Sequence, residues 1–421
     1  MAFGIRYAVS AVLRCFVLLK KGDFWGLLSL NKLFSEKYMI AREDAVRVGL
    51  ATGGFGAIYN LVTSLAERYM DRQALNGKQH FVGGLLGGLT MLFLEKDSRR
   101  TLSLQVLGRV LECVYNALKS RGWWHFWGSN WNHGDTLLFC LASAQIMYAY
   151  VMRPETLDDS YYKFIVKSGP IDEVVLQQVR NNNRGRPLDV NRIVEYVTRR
   201  NPNADRAGLA SEVLEKLTVI PCSVLHPHNE SCVMNALEVL RLSFKKILPI
   251  YATLTFVPLL LLKFGSFIKH PLARIWTATL STIQSSLFLG TFVMVYMSVV
   301  CLQRKVVSED FRFTYWLSGF IASLSLLIEK KSRRSELALY ALPRGIDSLY
   351  MLLLDRKWMA SLPQGELILF CISMGSIMYF YDNESHTMSP FLKNILDWVI
   401  GRRHQKSVPK EREQDKEHLK K

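Results

Sequence analysis

Long stretches free of Asp, Glu, Lys and Arg alternate along this chain with short, densely charged segments. The uncharged runs are 48–66, 79–94, 136–152, 247–262, 275–303, 313–328 and 367–381. A helix needs about 20 apolar residues to cross a bilayer core, with a lower limit near 17. The runs therefore predict membrane helices, several of them marginal in length. Two further stretches, 101–118 and 336–354, read as helices with internal charges.

The runs fall into two matching series. Phe81–Arg100 (FVGGLLGGLTMLFLEKDSRR) aligns with Tyr315–Arg334 (YWLSGFIASLSLLIEKKSRR) at an offset of 234. The match aligns two basic loops, Lys96, Arg99 and Arg100 with Lys330, Arg333 and Arg334. Beyond them GDTLLFC (134–140) recurs as GELILFC (365–371), and IMYAY (146–150) as IMYFY (377–381). Between these blocks Arg109 and Glu112 correspond to Arg344 and Asp347. Upstream, Gly53–Tyr59 parallels Gly290–Tyr296, and Tyr7–Lys20 more weakly resembles Tyr251–Lys263.

The pattern predicts an all-α polytopic membrane protein with two repeated four-helix units. Each unit has an amphipathic lead helix, and a soluble helical insert lies between them. The boundaries are an amphipathic N-terminal segment (1–46), a first four-helix membrane unit (47–153) and an insert ending in a Cys/His element (154–245). A lead helix with the second membrane unit (246–401) and a charged tail (402–421) follow. Within the insert, Asn181–Pro187 reads as a loop, and 189–200 and 205–217 as short amphipathic helices. The basic N-terminal segment is expected to be a lead helix, not a cleaved targeting signal. Short basic loops stay on the cytoplasmic or matrix-like side, so the two units should point the same way. Segment 247–262 is then expected to be interfacial or re-entrant, like its counterpart 7–19.

Charge changes the picture only by excluding alternatives. The formal net charge is +17, of which the membrane portion carries +11, the insert +2 and the basic tail +4. Positive charge concentrated in the most apolar regions is topology information, not a nucleic-acid-binding face. Seven Cys in 421 residues are too few for a disulfide scaffold. There is no phosphate loop, dinucleotide fingerprint, nucleophile elbow or HExxH motif, so no enzymatic activity and no cofactor are predicted. The expected partners are the lipid bilayer and other membrane proteins or a second copy of the chain.

Three groups of residues are candidates for function. Gly53, Gly54, Gly56, Gly83, Gly84, Gly87 and Gly88 form small-residue faces that suit close helix packing, or a pore or lipid groove. The pairs Arg109/Glu112 and Arg344/Asp347 are spaced to neutralise each other within a helix, and charges at membrane depth face a protein interior or a wet cavity. Cys222, His226, His228 and Cys232 could bind a metal or form a disulfide. Trp123, Trp124, Trp127 and Trp131 suit an interfacial belt.

The block SGFIASLSLLIEKKSRRSELALY (318–340), followed by GELILFCISMGSIMYFY (365–381), resembles the transmembrane protein 135 family, also called peroxisomal membrane protein 52. Cys222-x9-Cys232, followed by KKILPIY (245–251), is similar to that family's cysteine-rich element. The first unit resembles the same family and, more distantly, peroxisomal membrane protein 4 and the mitochondrial inner-membrane translocase channels. The order differs from the animal pattern, in which the cysteine-rich element opens the chain. The resemblance implies a glycine-rich four-helix unit in a peroxisomal or mitochondrial membrane. It also implies a role in organelle dynamics or lipid homeostasis; the competing function, with the glycine face and charge pairs as a translocation path, is a channel or carrier. It supplies no catalytic residues.

Overall fold

The computed structural model describes residues 39–69, 77–123, 131, 133–202, 205, 208, 213, 220–229, 231–262, 268, 270–307 and 311–401. The charged tail, most of the N-terminal segment, and nearly all of 205–217 lie outside them. Among the described residues every regular element is helical. The helices are α1 (Met39–Tyr69), α2 (Lys78–Gly88), α3 (Lys96–Ser120), α4 (Gly134–Met152), α5 (Asp159–Ser168), α6 (Glu173–Asn183) and α7 (Val190–Arg200). They continue with α8 (Cys222–Leu225), α9 (Cys232–Leu262), α10 (Pro271–Val306), α11 (Arg312–Ala322), α12 (Lys331–Asp355), α13 (Gly365–Asn383) and α14 (Pro390–Ile400). Four segments are long and apolar enough to cross a membrane: Val46–Tyr69, Gly134–Met152, Pro271–Val306 and Lys331–Asp355. The chain is a membrane protein with an all-α fold.

The stretches that match in sequence form helices of matching length. Both α2 and α11 have 11 residues, α3 and α12 have 25, and α4 and α13 have 19. Between α2 and α3 the chain tightens into a 3-10 segment of 5 residues, Leu89–Phe93; between α11 and α12 its counterpart, Ser323–Ile328, has 6. That extra residue shifts the register of the basic loops. Arg99 donates to the Leu94 and Leu92 carbonyls, and Arg334 makes the same pair of bonds to Glu329 and Leu327. Arg99 therefore corresponds in place to Arg334, not to Arg333 as the sequence offset suggests. Both arginines cap carbonyls that the 3-10 turn leaves without helical partners. Arg333 instead bonds Ser281 and Ser285 on α10 and lies 3.6 Å from the buried Glu329 carboxylate.

The chain divides into two compact units, and neither is contiguous with the sequence division at 47–153 and 246–401. One unit comprises Met1–His125 and Pro363–Lys421; the other is Phe126–Leu362. In the first, α13 packs against α2 and α3, and α14 packs against α1. In the second, α4 packs against α11 and α12, beside the antiparallel hairpin of α9 and α10. The fourth helix of each sequence series is thus exchanged into the unit built by the other series.

Glycine placement explains how the exchanged helix fits. Successive residues on α2 turn toward different neighbours. A Cβ on Gly83 would meet Tyr59 at 3.0 Å and one on Gly87 would meet Phe55 at 2.9 Å, both on α1. A Cβ on Gly84 would lie 2.6 Å from the Met374 carbonyl, and one on Gly88 would lie 2.8 Å from the Cys371 Cα, both on α13. In the other unit Gly319 approaches Ala144 and Met147 of α4, and Gly345 approaches Ala142. In lipid, where helices gain no hydrophobic advantage from meeting, such backbone approach supplies the packing energy.

The insert is not a separate soluble body. Val175, Leu176 and Val179 of α6, Ile193, Tyr196 and Val197 of α7, and Val224 and Leu225 of α8 share one core with α4, α10 and α11. The stretch read as a loop from Asn181 begins inside α6, which runs to Asn183, and the chain turns only at Gly185, with φ of 65°. Segment 247–262 belongs to the unbroken 31-residue helix α9, so it contains no re-entrant bend.

Candidate metal centre

The Cys/His element gathers at the open end of the α9–α10 hairpin. Cys222 begins the one-turn helix α8, and His226 follows it as the C-cap. Cys232 opens α9. From Cys232 to the end of α9 at Leu262 is 30 residues, and from Pro271 at the start of α10 to Cys301 is also 30. Antiparallel helices of equal reach bring Cys232 and Cys301 level with each other. The Sγ atoms of Cys222, Cys232 and Cys301 and a ring nitrogen of His226 all lie within 4.8 Å of one another. His228, the fourth candidate from the sequence, is exposed, and Cys301 takes its place in the cluster.

Backbone carbonyls anchor His226 and the chain on either side of α8. The His226 Nδ1 lies 2.7 Å from the Asn229 carbonyl, which fixes a proton on Nδ1, and Nε2 lies 3.5 Å from the Cys232 Sγ. Asn201 bonds the Pro227 carbonyl at 2.9 Å, and Arg304 bonds the Ile220 carbonyl at 3.2 Å. His226 is 3% exposed and Cys301 is buried. A thiol hydrogen bond from Cys301, and then one from His226, pull the Cys222 thiol well below the usual range. Its bond to Cys222 in turn raises His226, against the effect of burial. The nearby His226 and Arg304 add to the lowering of Cys222. All three cysteines are free thiols.

The other candidates from the sequence divide. Arg109 and Glu112 form an ion pair at 3.0 Å with both side chains largely covered. Arg344 has different partners: it bonds the Tyr340 carbonyl at 2.8 Å and lies over the rings of Tyr340 and Tyr161. Gly54 faces Thr90 and Gly56 faces Val399, whereas a Cβ at Gly53 would meet open space. Trp123 and Trp131 are exposed, and Trp124 and Trp127 lie outside the described residues.

One polar group escaped the sequence reading. Tyr59 of α1 hydrogen-bonds Asp382 of α13 and lies 2.9 Å from the Nδ1 of His80 on α2. His80 Nδ1 is 3.1 Å from Asp382. Asp382 directly follows the IMYFY block, and that ending of an apolar run in an acid was its one signal.

Residues 221–354 match the family model of the N-terminal cysteine-rich region of Transmembrane protein 135. Over this stretch the chain is similar to that family's cysteine-rich region. No solved structure matches the chain. The matched stretch begins one residue before Cys222 and contains the whole cluster, the α9–α10 hairpin, α11 and nearly all of α12. The metal candidate thus lies at the start of the matched region, with membrane helices behind it.

Proposed function

We propose that the protein acts in the membrane of the peroxisome, the mitochondrion or both, in organelle dynamics or lipid homeostasis. It does so without catalysis, through helix packing and contacts with lipid and other membrane proteins or a second copy of itself. The match to the transmembrane protein 135 cysteine-rich region carries this reading. The glycine faces support it over a translocation path, because Gly83 and Gly87 are covered by α1, and Gly84 and Gly88 by α13. A pore along those faces would require the helices to part. A channel or carrier remains the competing function, favoured by the Tyr59–His80–Asp382 group.

Localisation of a fluorescent fusion with a free C-terminus, combined with gene deletion, tests the proposal. The expected result is organelle-membrane fluorescence, with altered organelle number or lipid content in the deletion strain. Plasma-membrane or secretory localisation with unchanged organelles overturns it. Arg109→Gln and Arg344→Gln separate the two functions. Lost assembly supports the packing role, and lost flux in a normally assembled and targeted protein supports transport.

A further inference from the structure

We propose that Cys222, His226, Cys232 and Cys301 form a closed structural Zn(II) site that clamps the open end of the α9–α10 hairpin. Three sulfurs and one imidazole nitrogen are a zinc donor set, and structural sites use four protein ligands in a tetrahedron. Zn–S bonds of about 2.3 Å place ligand sulfurs roughly 3.8 Å apart. The four donor atoms already lie within 4.8 Å of one another, so small side-chain movements close the site. Nδ1 of His226 is committed to the Asn229 carbonyl, so Nε2 faces the thiols with its lone pair available. A backbone carbonyl that fixes the histidine tautomer in this way is the usual outer-sphere support of a zinc ligand.

The arrangement favours zinc over a disulfide. Any disulfide among the three cysteines leaves a third thiol and the imidazole in the cluster without a bonding role, whereas zinc uses all four groups. Metal binding releases the thiol protons, and three thiolates with neutral imidazole give the site one net negative charge. Arg304, one turn beyond Cys301 on α10, carries the compensating charge. No fifth donor and no open coordination position is needed, which makes the metal structural, not catalytic. It joins three separate pieces of chain: the segment before α9, the start of α9 and the far end of α10.

Elemental analysis of the full chain tests this after purification in detergent with reductant and micromolar zinc. The expected outcome is one zinc per chain in the wild type and in His228→Ala, with loss of zinc in Cys301→Ser. Cobalt loading provides a second readout should Cys301→Ser fail to fold. His226→Cys should retain the metal, and its thiolate-to-cobalt charge-transfer band should grow by roughly one third as three thiolates become four. Zinc-free wild-type protein overturns the proposal, as do zinc retained by Cys301→Ser, zinc lost from His228→Ala, or a Cys222–Cys232 disulfide found by mass spectrometry.

Discussion

At the scale of single residues, the glycines of α2 differ in what each can tolerate. Gly84 sits where a methyl group would lie 2.6 Å from a backbone oxygen of α13, and backbone cannot rotate away as a side chain does. Gly84→Ala should therefore separate α2 from α13 and cost about 1–3 kcal/mol. Gly53 has open space around its Cβ position, and in a helix interior Ala is favoured over Gly by roughly 0.5–1 kcal/mol. Gly53→Ala should be neutral or slightly stabilising. Thermal unfolding in detergent compares the two, and equal effects would remove the packing explanation. The sequence shows Gly83/Gly87 and Gly84/Gly88 as two pairs one residue out of phase. It does not show that each pair serves a different neighbour, because that depends on which helices flank α2.

At the scale of helices, the exchange of α4 and α13 is the main departure from the sequence reading. Helix positions were legible, since uncharged runs mark them directly. The partner of each fourth helix was not, because GDTLLFC and GELILFC are so alike that either could complete either unit. The similarity that reveals two series conceals the exchange between them. Charge at the helix ends distinguishes the alternatives. Arg121 beyond α3 pairs with Glu384 beyond α13, and Asp355 of α12 pairs with Arg153 beyond α4 at 2.7 Å. The polarity is opposite in the two units. Contiguous units would set Arg121 against Arg153 and Asp355 against Glu384, two like-charged contacts. Each exposed pair is worth under about 1 kcal/mol, so the charges bias the choice and the glycine faces consolidate it. Thr156 and Ser348 hydroxyls meet at 2.9 Å in the interior of the second unit. A Thr156→Cys/Ser348→Cys protein should form an intramolecular disulfide under mild oxidation, seen as a linked peptide in a monomer. Thr387→Cys/Ser348→Cys should not, and a disulfide in that second protein would establish the contiguous arrangement instead. Cys301 was not legible either, and His228 stood in its place. Its place in the cluster follows from the equal reach of 30 residues from Cys232 to Leu262 and from Pro271 to Cys301, which no local motif records.

At the scale of the whole molecule, the two units differ in how they depend on the ends of the chain. The second contains an unbroken stretch, Phe126–Leu362, whereas the first requires helices from both sides of it. A chain ended after Leu362 retains every helix of the second unit and lacks α13 and α14 of the first. Limited proteolysis of that truncated protein should spare the α9–α12 region and cleave within α1–α3, where the full chain is protected. Equal protection of both regions would mean that the first unit closes without α13. The exchange also sets a schedule during synthesis. From the end of α3 at Ser120 to the start of α13 at Gly365 the ribosome must add 245 residues. At about 5–20 residues per second this takes roughly 10–50 s. During that interval the Gly84/Gly88 face of α2 is made but has no lasting neighbour, while α4, similar to α13 but the incorrect match, is completed first. The biosynthetic hazard of this fold is therefore premature closure, and the like charges of Arg121 and Arg153 oppose it from the moment both have been made.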